Sequence, residues 1–376
     1  MPERSPMNNP PLATFTRDTI LNRMEDELTH AGAAAQEQWA AIRKQCAALP
    51  AQTCTHLAVT GVGDSYYAGL AMRVALEQLS GLPTTVLPSM EASAFPSLLL
   101  GKNCLLLAVS VSGKVERTID AVVRHRERGG VALAVTALPD NELSRVANFV
   151  ITTGLRGTPG PVPGTANYLG SLLALMSVGL EMEARRGRAA SVSDSEVLDV
   201  LGTINQQFLK TIRESESLVR SLTPPFWAIG SGPDLAAASF GVAKFLEAAA
   251  TVGVPQDLEE WAHEQYFATS DGTTAFIVSS ASPTHERALR VARSVAAVGG
   301  LPVTIGFESD ARHAVNIGLP ETPSLLTPLV AWVPLGLFAL DYARAQNRWP
   351  FGIDRPNRMS TVDNDIYVLS SRRDGD

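Results

Sequence analysis

The sequence predicts an α/β protein in which one doubly wound unit, a five-stranded parallel sheet flanked by helices, occurs twice in tandem. Three observations carry this. The chain repeats itself: LAVTGVGDSYYAG, from Leu57, matches FWAIGSGPDLAAA, from Phe226, so that Gly61 and Gly63 fall on Gly230 and Gly232 at an offset of 169 residues. The same offset carries LLLAVSVSG, from Leu105, onto TAFIVSSAS, from Thr274, and Glu91 onto Glu260. With small slips, GGVALAVTALPD (from Gly129) meets GGLPVTIGFESD (from Gly299), and GLRGTP (from Gly154) meets GLPETP (from Gly318). Secondly, short β-rich apolar runs alternate with helix-length segments, the pattern of parallel β-α-β units. Thirdly, continuous apolar runs such as LLLAV suit strands covered on both faces.

The elements follow in order. An opening helix spans about 17–48. Copy one then places strands near 56–60, 84–87, 104–109, 131–136 and 149–152, and helices near 66–80, 115–128 and 166–184. A linker helix region, 191–222, leads to Pro224 and Pro225, which end it because proline cannot continue a helix. The expected division is 17–190 for the opening helix and first unit, 191–222 for the linker, 223–348 for the second unit and 349–376 for a loop-like tail. The longest apolar stretch, 325–340, holds Pro328 and Pro334 and is short for a bilayer span. It reads as a buried helix, and no membrane association is expected.

Composition narrows the function. Of 376 residues, 45% are hydrophobic and 18% charged, which excludes a disordered chain and a coiled coil. The charge is −7, from 31 Lys and Arg against 38 Asp and Glu. There is no basic stripe of the kind that neutralises nucleic-acid phosphates. Cys46, Cys54 and Cys104 form no CxxC or Cys/His spacing, so neither a disulfide framework nor a metal site is expected. A reducing cytoplasm fits, and MPERSPMNNPP has no apolar core of a signal peptide. Neither a P-loop nor a G-x-S-x-G elbow occurs.

Four stretches carry candidate chemistry. GVGDS, from Gly61, ends a strand in a glycine turn and opens a helix, whose N–H groups favour an anion. A plain strand–helix turn reads as well, and the Asp64 carboxylate would repel a phosphate. SVSGKVERT, from Ser110, again follows a strand; its hydroxyls, glycine and lysine suit a phosphate or carboxylate, or simply cap a helix. Its repeat partner, SSASPT from Ser279, has neither the glycine nor the lysine, so copy one reads as the specialised one. Lys244 and Glu247, at i and i+3, share a face of the nearly apolar helix AAASFGVAKFLEAAATVG. Burial there would raise the carboxyl pKa into the range of a base; a structural ion pair is the alternative. In EEWAH, from Glu259, His263 can shuttle protons or lie on a surface helix with acidic caps.

Together these residues resemble the tandem sugar-isomerase (SIS) domain family. The likeness is to the isomerase half of glutamine–fructose-6-phosphate transaminase and to sugar-phosphate deaminases. GVGDS resembles the family's G-x-G-T-S turn, SVSGKVERT its S-x-S-G-E-T-x-D-T loop, FGVAKFLE its E-G-A-L-K-L-K-E helix and EWAH its E-L-K-H. PLVAWVPLGLFALDYA, from Pro328, and DRPNRMST, from Asp354, resemble two C-terminal motifs. The likeness runs from about residue 20 to 365. It implies two SIS domains and an enolising base at Glu247 beside Lys244. It also implies a ring-opening histidine at His263 that reaches a neighbouring subunit's site. Ser65, Ser110 and Ser112 match phosphate-binding serines, and the implied substrate-binding set adds Asp64, Gly113, Lys114, Thr165, Asn167 and Thr361. Expected partners are a small sugar phosphate or sugar-like anion and a second copy in a homodimer, with no cofactor or metal.

The departures are specific. Thr361 stands where the family has an imine-forming lysine. Val111, Lys114 and Val115 change the phosphate loop, Asp64 replaces the turn's Thr and Phe240 replaces a helix Glu. Pro2 stands in the place of a glutaminase cysteine, so glutamine-driven amide transfer by this chain alone is not implied. The reading is therefore an aldose–ketose isomerase that enolises a sugar phosphate or amino-sugar phosphate, with Lys244 stabilising the enediolate. The alternatives are an amino-sugar-phosphate deaminase, an enzyme on a modified unphosphorylated sugar, and a non-catalytic sugar-phosphate binding module.

Overall fold

Both sheets form with the same strand order. The structure, a computed structural model, describes residues 15–50, 53–95, 98–155, 157–158, 160–205 and 216–355. In the first half, β1 (His56–Gly61), β2 (Thr84–Pro88), β3 (Cys104–Val109), β4 (Val131–Thr136) and β5 (Phe149–Thr152) pair in the order β2-β1-β3-β4-β5. In the second, β6 (Phe226–Ile229), β7 (Gly253–Gln256), β8 (Thr274–Val278), β9 (Leu301–Ile305) and β10 (Val315–Ile317) pair in the order β10-β9-β8-β6-β7. Read from the other edge, this is the first order again, and every pairing is parallel.

The apolar runs are buried on both faces. Leu57, Val59, Leu105, Leu107 and Leu133 enter one large core, while Ala58, Leu106, Ala108 and Ala132 enter a smaller outer one. In the second sheet Phe226, Phe276 and Val303 point inward, and Trp227, Ala275 and Ile277 point outward. This is the period-two alternation of a strand with no wet face. The large core lies between the sheets and is filled chiefly by the helices Arg17–Ala47, Asp64–Ser80, Ala166–Arg185, Pro233–Ala249 and Val333–Ala345. Stacking of Tyr168 on Phe240, with ring centroids 4.2 Å apart, and the edges both present to Trp332 tie the halves together.

Three features differ from expectation. The apolar stretch 325–340 is not one helix: Pro328 sits in a 3-10 turn, Thr327–Leu329, and the helix starts at Val333, with Pro334 in its first turn where a missing N–H costs nothing. Among the described residues of 191–222 there are two helices, Asp194–Thr203 and Glu216–Ser221; residues 206–215 lie outside the described set. Short helices also occur at Ser89–Ala94 and Glu142–Val146. No helix among the described residues is long and apolar enough to cross a membrane.

Candidate active site

Two elements of the first half meet one of the second. The turn after β1 and the loop after β3 lie at the carboxyl ends of adjacent strands, where doubly wound sheets bind ligands. Gly63 makes the first turn possible, with φ +56 and ψ −128, a conformation strained for other residues. Gly113 makes the second: its φ is +64, and a Cβ there would stand 2.0 Å from the Asn141 side chain. Facing both is the helix Pro233–Ala249, which carries Lys244 and Glu247.

Between them is a cleft of about 330 Å³, lined among others by Asp64, Ser65, Ser110, Ser112, Asn167 and Glu247. Tyr168 and the backbone at Gly164 complete the wall. Lys244 lies beneath it, fully buried. Its Nζ donates to Glu247 Oε2 at 2.7 Å, to Asp64 Oδ2 at 2.8 Å and to the Gly164 carbonyl at 2.9 Å. An ammonium has three donors, and all three are used. It also stands 4.9 Å from the Phe240 ring centroid, a cation–π contact. Phe240 thus lies against the lysine.

Burial pushes the Glu247 carboxyl up to about 7; Lys244 pulls it down and Asp64 pushes it up. Burial alone would lower the Lys244 pKa, but Asp64 and Glu247 outweigh it and hold the amine above its ordinary value. Glu247 is thus poised to exchange a proton near neutrality. Three polar atoms of the wall, Asp64 Oδ1, Ser110 Oγ and Asn167 Oδ1, have no hydrogen-bond partner among the described residues. Buried polar groups are ordinarily paired, so these mark where a polar ligand fits.

Other expected site residues do not line this cleft. Gly113 shapes the loop from behind, and Lys114 is exposed, its N–H donating to the Ser112 hydroxyl at 3.3 Å. Thr165 is buried, its backbone N–H donating to Glu27 at 2.8 Å. His263 ends the short helix Leu258–His263 with its side chain 73% exposed, 3.7 Å from Glu259. Thr361 lies outside the described residues. No group of three or more His, Cys, Asp or Glu among the described residues is arranged to hold a metal ion.

Sequence reasoning missed Tyr168 and Glu27. Glu27, 5% exposed, accepts the backbone N–H groups of Thr158, Thr165 and Ala166 at 2.8, 2.8 and 3.2 Å. It thereby fixes the loop that presents Gly164. The signal was available: Glu27 sits on the stripe of Leu21, Met24, Leu28 and Ala31, where a charge requires a partner.

The family model for the SIS domain matches residues 52–178. That stretch, about a third of the chain, is thus similar to a SIS domain. The second half of the chain, outside that match, repeats the sheet order of the first. Its curated relatives include glutamine–fructose-6-phosphate aminotransferase [isomerizing] of Pyrobaculum aerophilum, 28% identical over 307 residues, covering 80% of this chain and 50% of that protein. The enzyme of the same name from Corynebacterium efficiens is 25% identical, covering 92% of this chain and 55% of that protein. The chain thus spans about half the length of the curated relatives it matches. Among solved structures, the C-terminal domain of glucosamine-fructose-6-phosphate aminotransferase from Francisella tularensis superposes with a TM-score of 0.76 at 16% identity, covering 89% of this chain and 99% of that one. Glucosamine-6-phosphate deaminase from Thermotoga maritima gives 0.72 at 15%, covering 89% and 98%. Tagatose-6-phosphate ketose/aldose isomerase from Escherichia coli gives 0.67 at 16%, covering 92% and 97%. These likenesses show the tandem SIS fold.

Proposed function

We propose that the cleft moves a proton between adjacent carbons of an open-chain sugar phosphate or amino-sugar phosphate, interconverting aldose and ketose forms. The observation that carries this is Glu247: a carboxyl raised to about 7, at the wall of a 330 Å³ cleft, opposite the Ser110 loop. Glu247 removes the proton from the carbon beside the carbonyl to give an enediolate, the adjacent hydroxyl's proton passes to the former carbonyl oxygen directly or through solvent, and the same carboxyl returns its proton to the neighbouring carbon, which leaves the second oxygen as the new carbonyl. Ser65, Ser110 and Ser112 hold the ligand's anionic group. With its three donors taken, Lys244 is a positioning residue: it fixes Glu247 and tunes its basicity rather than reaching the enediolate. With threonine at position 361, the reaction runs on the free carbonyl and needs no imine. In a homodimer, His263 serves ring opening in the neighbouring subunit's cleft. The same reading keeps 17–190 and 223–348 as the two domains.

A second reading, deamination, is favoured by Asp64. Its carboxylate borders the cleft with one oxygen unpartnered, a feature that suits a substrate bearing an ammonium group.

The test is incubation with fructose 6-phosphate and with glucosamine 6-phosphate in heavy water. Deuterium should enter beside the carbonyl, and ammonia release separates deamination from isomerisation. Glu247→Gln should abolish the exchange; exchange at the wild-type rate in that variant would refute the assignment. Thermal stabilisation by these ligands without any exchange would favour a binding module.

A further inference from the structure

The second half holds a counterpart of the cleft, about 260 Å³, whose wall includes Ala75, Gln78, Ser231, Asp234, Ser280 and Thr284. Here the helix Asp64–Ser80 takes the part that Pro233–Ala249 takes in the first. Ala75 and Gln78 stand at the repeat positions of Lys244 and Glu247, so this cleft lacks both the cation and the base.

Its backbone is nevertheless the same. Gly232 has φ +59 and ψ −126, against +56 and −128 at Gly63. The Asp234 N–H donates to the Ser231 carbonyl at 3.2 Å, as the Ser65 N–H does to that of Val62. The Ser279 N–H donates to the Ile305 carbonyl at 3.0 Å, as the Ser110 N–H does to that of Val135. The difference lies in the side chains. Asp234 occupies the position of Ser65 and is 3% exposed. Its Oδ2 accepts the Ser280 backbone N–H at 3.0 Å, and its Oδ1 accepts the Ser280 hydroxyl at 2.5 Å. The Ser279 hydroxyl, counterpart of the unpartnered Ser110 hydroxyl, pairs with that of Thr284 at 2.6 Å.

We infer that the loop after β8 is a latent oxyanion seat, closed by the chain's own Asp234 carboxyl group, so that the duplicated fold keeps one open seat out of two. A strand-end loop offering an N–H and a hydroxyl recognises two oxygens of a phosphate, sulfate or carboxylate. Asp234 supplies two such oxygens from within. A tethered group competes at a millimolar or higher effective concentration, so a dilute external anion does not displace it. Burial pushes the Asp234 pKa up and the two Ser280 donors pull it down. The inference rests on the paired backbones and not on the catalysis assigned to the first cleft.

The test uses selenate, a tetrahedral oxyanion located by its anomalous scattering, soaked into crystals of the full chain. Asp234→Ser, which restores the residue of the first copy, and Asp234→Ala should each show selenate beside the Ser280 N–H, with roughly tenfold higher occupancy than wild type. Asp234→Asn, which keeps the plug's shape and acceptor, should remain closed. Absence of selenate at Ser280 in both opened variants overturns the inference. If neither opened variant folds, wild type decides: selenate seated at Ser280 overturns it, and Asp234 holding Ser280 while selenate is excluded supports it. Absence of selenate at the Ser110 loop counts instead against the anion site proposed for the first cleft.

Discussion

Replacing Lys244 with methionine keeps the stem's length and apolar bulk and removes its charge. Asp64 and Glu247 then face one buried point with no cation between them. At an effective dielectric of about 20, a unit charge 2.7 Å from Glu247 is worth about 6 kcal/mol of Coulomb energy. The desolvation of Lys244 itself is recovered, so the net cost is that of breaking a buried pair, about 3–5 kcal/mol. For a chain of 376 residues that lowers the melting temperature by about 4–6 °C. One pKa unit corresponds to about 1.4 kcal/mol, so a third of this cost, falling on Glu247, lifts its midpoint from about 7 by about one unit. The assay is a carbon-13 titration of glutamate-labelled protein, with Glu247→Gln to assign the resonance, run beside a thermal melt. An unchanged Glu247 midpoint, or a melting temperature within about 1 °C of wild type, would refute the account of Lys244 as the group that tunes the base.

Asp64→Asn moves the same midpoint the other way, below about 7, because the Asp64 carboxylate pushes Glu247 up; the same titration reads it. Glu27→Ala leaves three backbone N–H groups without their carboxylate. At about 1.5–3 kcal/mol per charged hydrogen bond, partly regained through water, it should cost about 3 kcal/mol in urea unfolding, with faster amide exchange at Thr165 and Ala166. Co-expression of Glu247→Gln with His263→Ala should restore exchange activity that neither variant has alone, if His263 serves the neighbouring cleft; a mixture as inactive as its parents would remove that role.

The fold was legible because a duplicated chain states its pattern twice. The five strands of the first half fall within one residue of their expected limits, their apolar runs being bounded by glycine and polar residues. The helices Ser89–Ala94 and Glu142–Val146 are too short to show a helical period. Of the site, Lys244 and Glu247 were legible because charges in an apolar helix are conspicuous. Their third partner was not: Asp64 lies 180 residues away from Lys244, and only the packing of the two halves joins them. Thr165 was expected beside a ligand and instead bonds Glu27, a contact across 138 residues that no local pattern encodes.

The five helices between the sheets bind the halves more than they divide them. The helix Ala166–Arg185 buries Leu169, Leu172, Leu173 and Leu175, in the same core as Phe240, Trp332 and Leu335 of the other half. A polypeptide ending before Phe226 would turn part of that leucine surface to water and lose the stacked partner of Tyr168. Each half thus lends the other part of its interior, and genetic truncation at that point should yield aggregates in place of a smaller soluble protein.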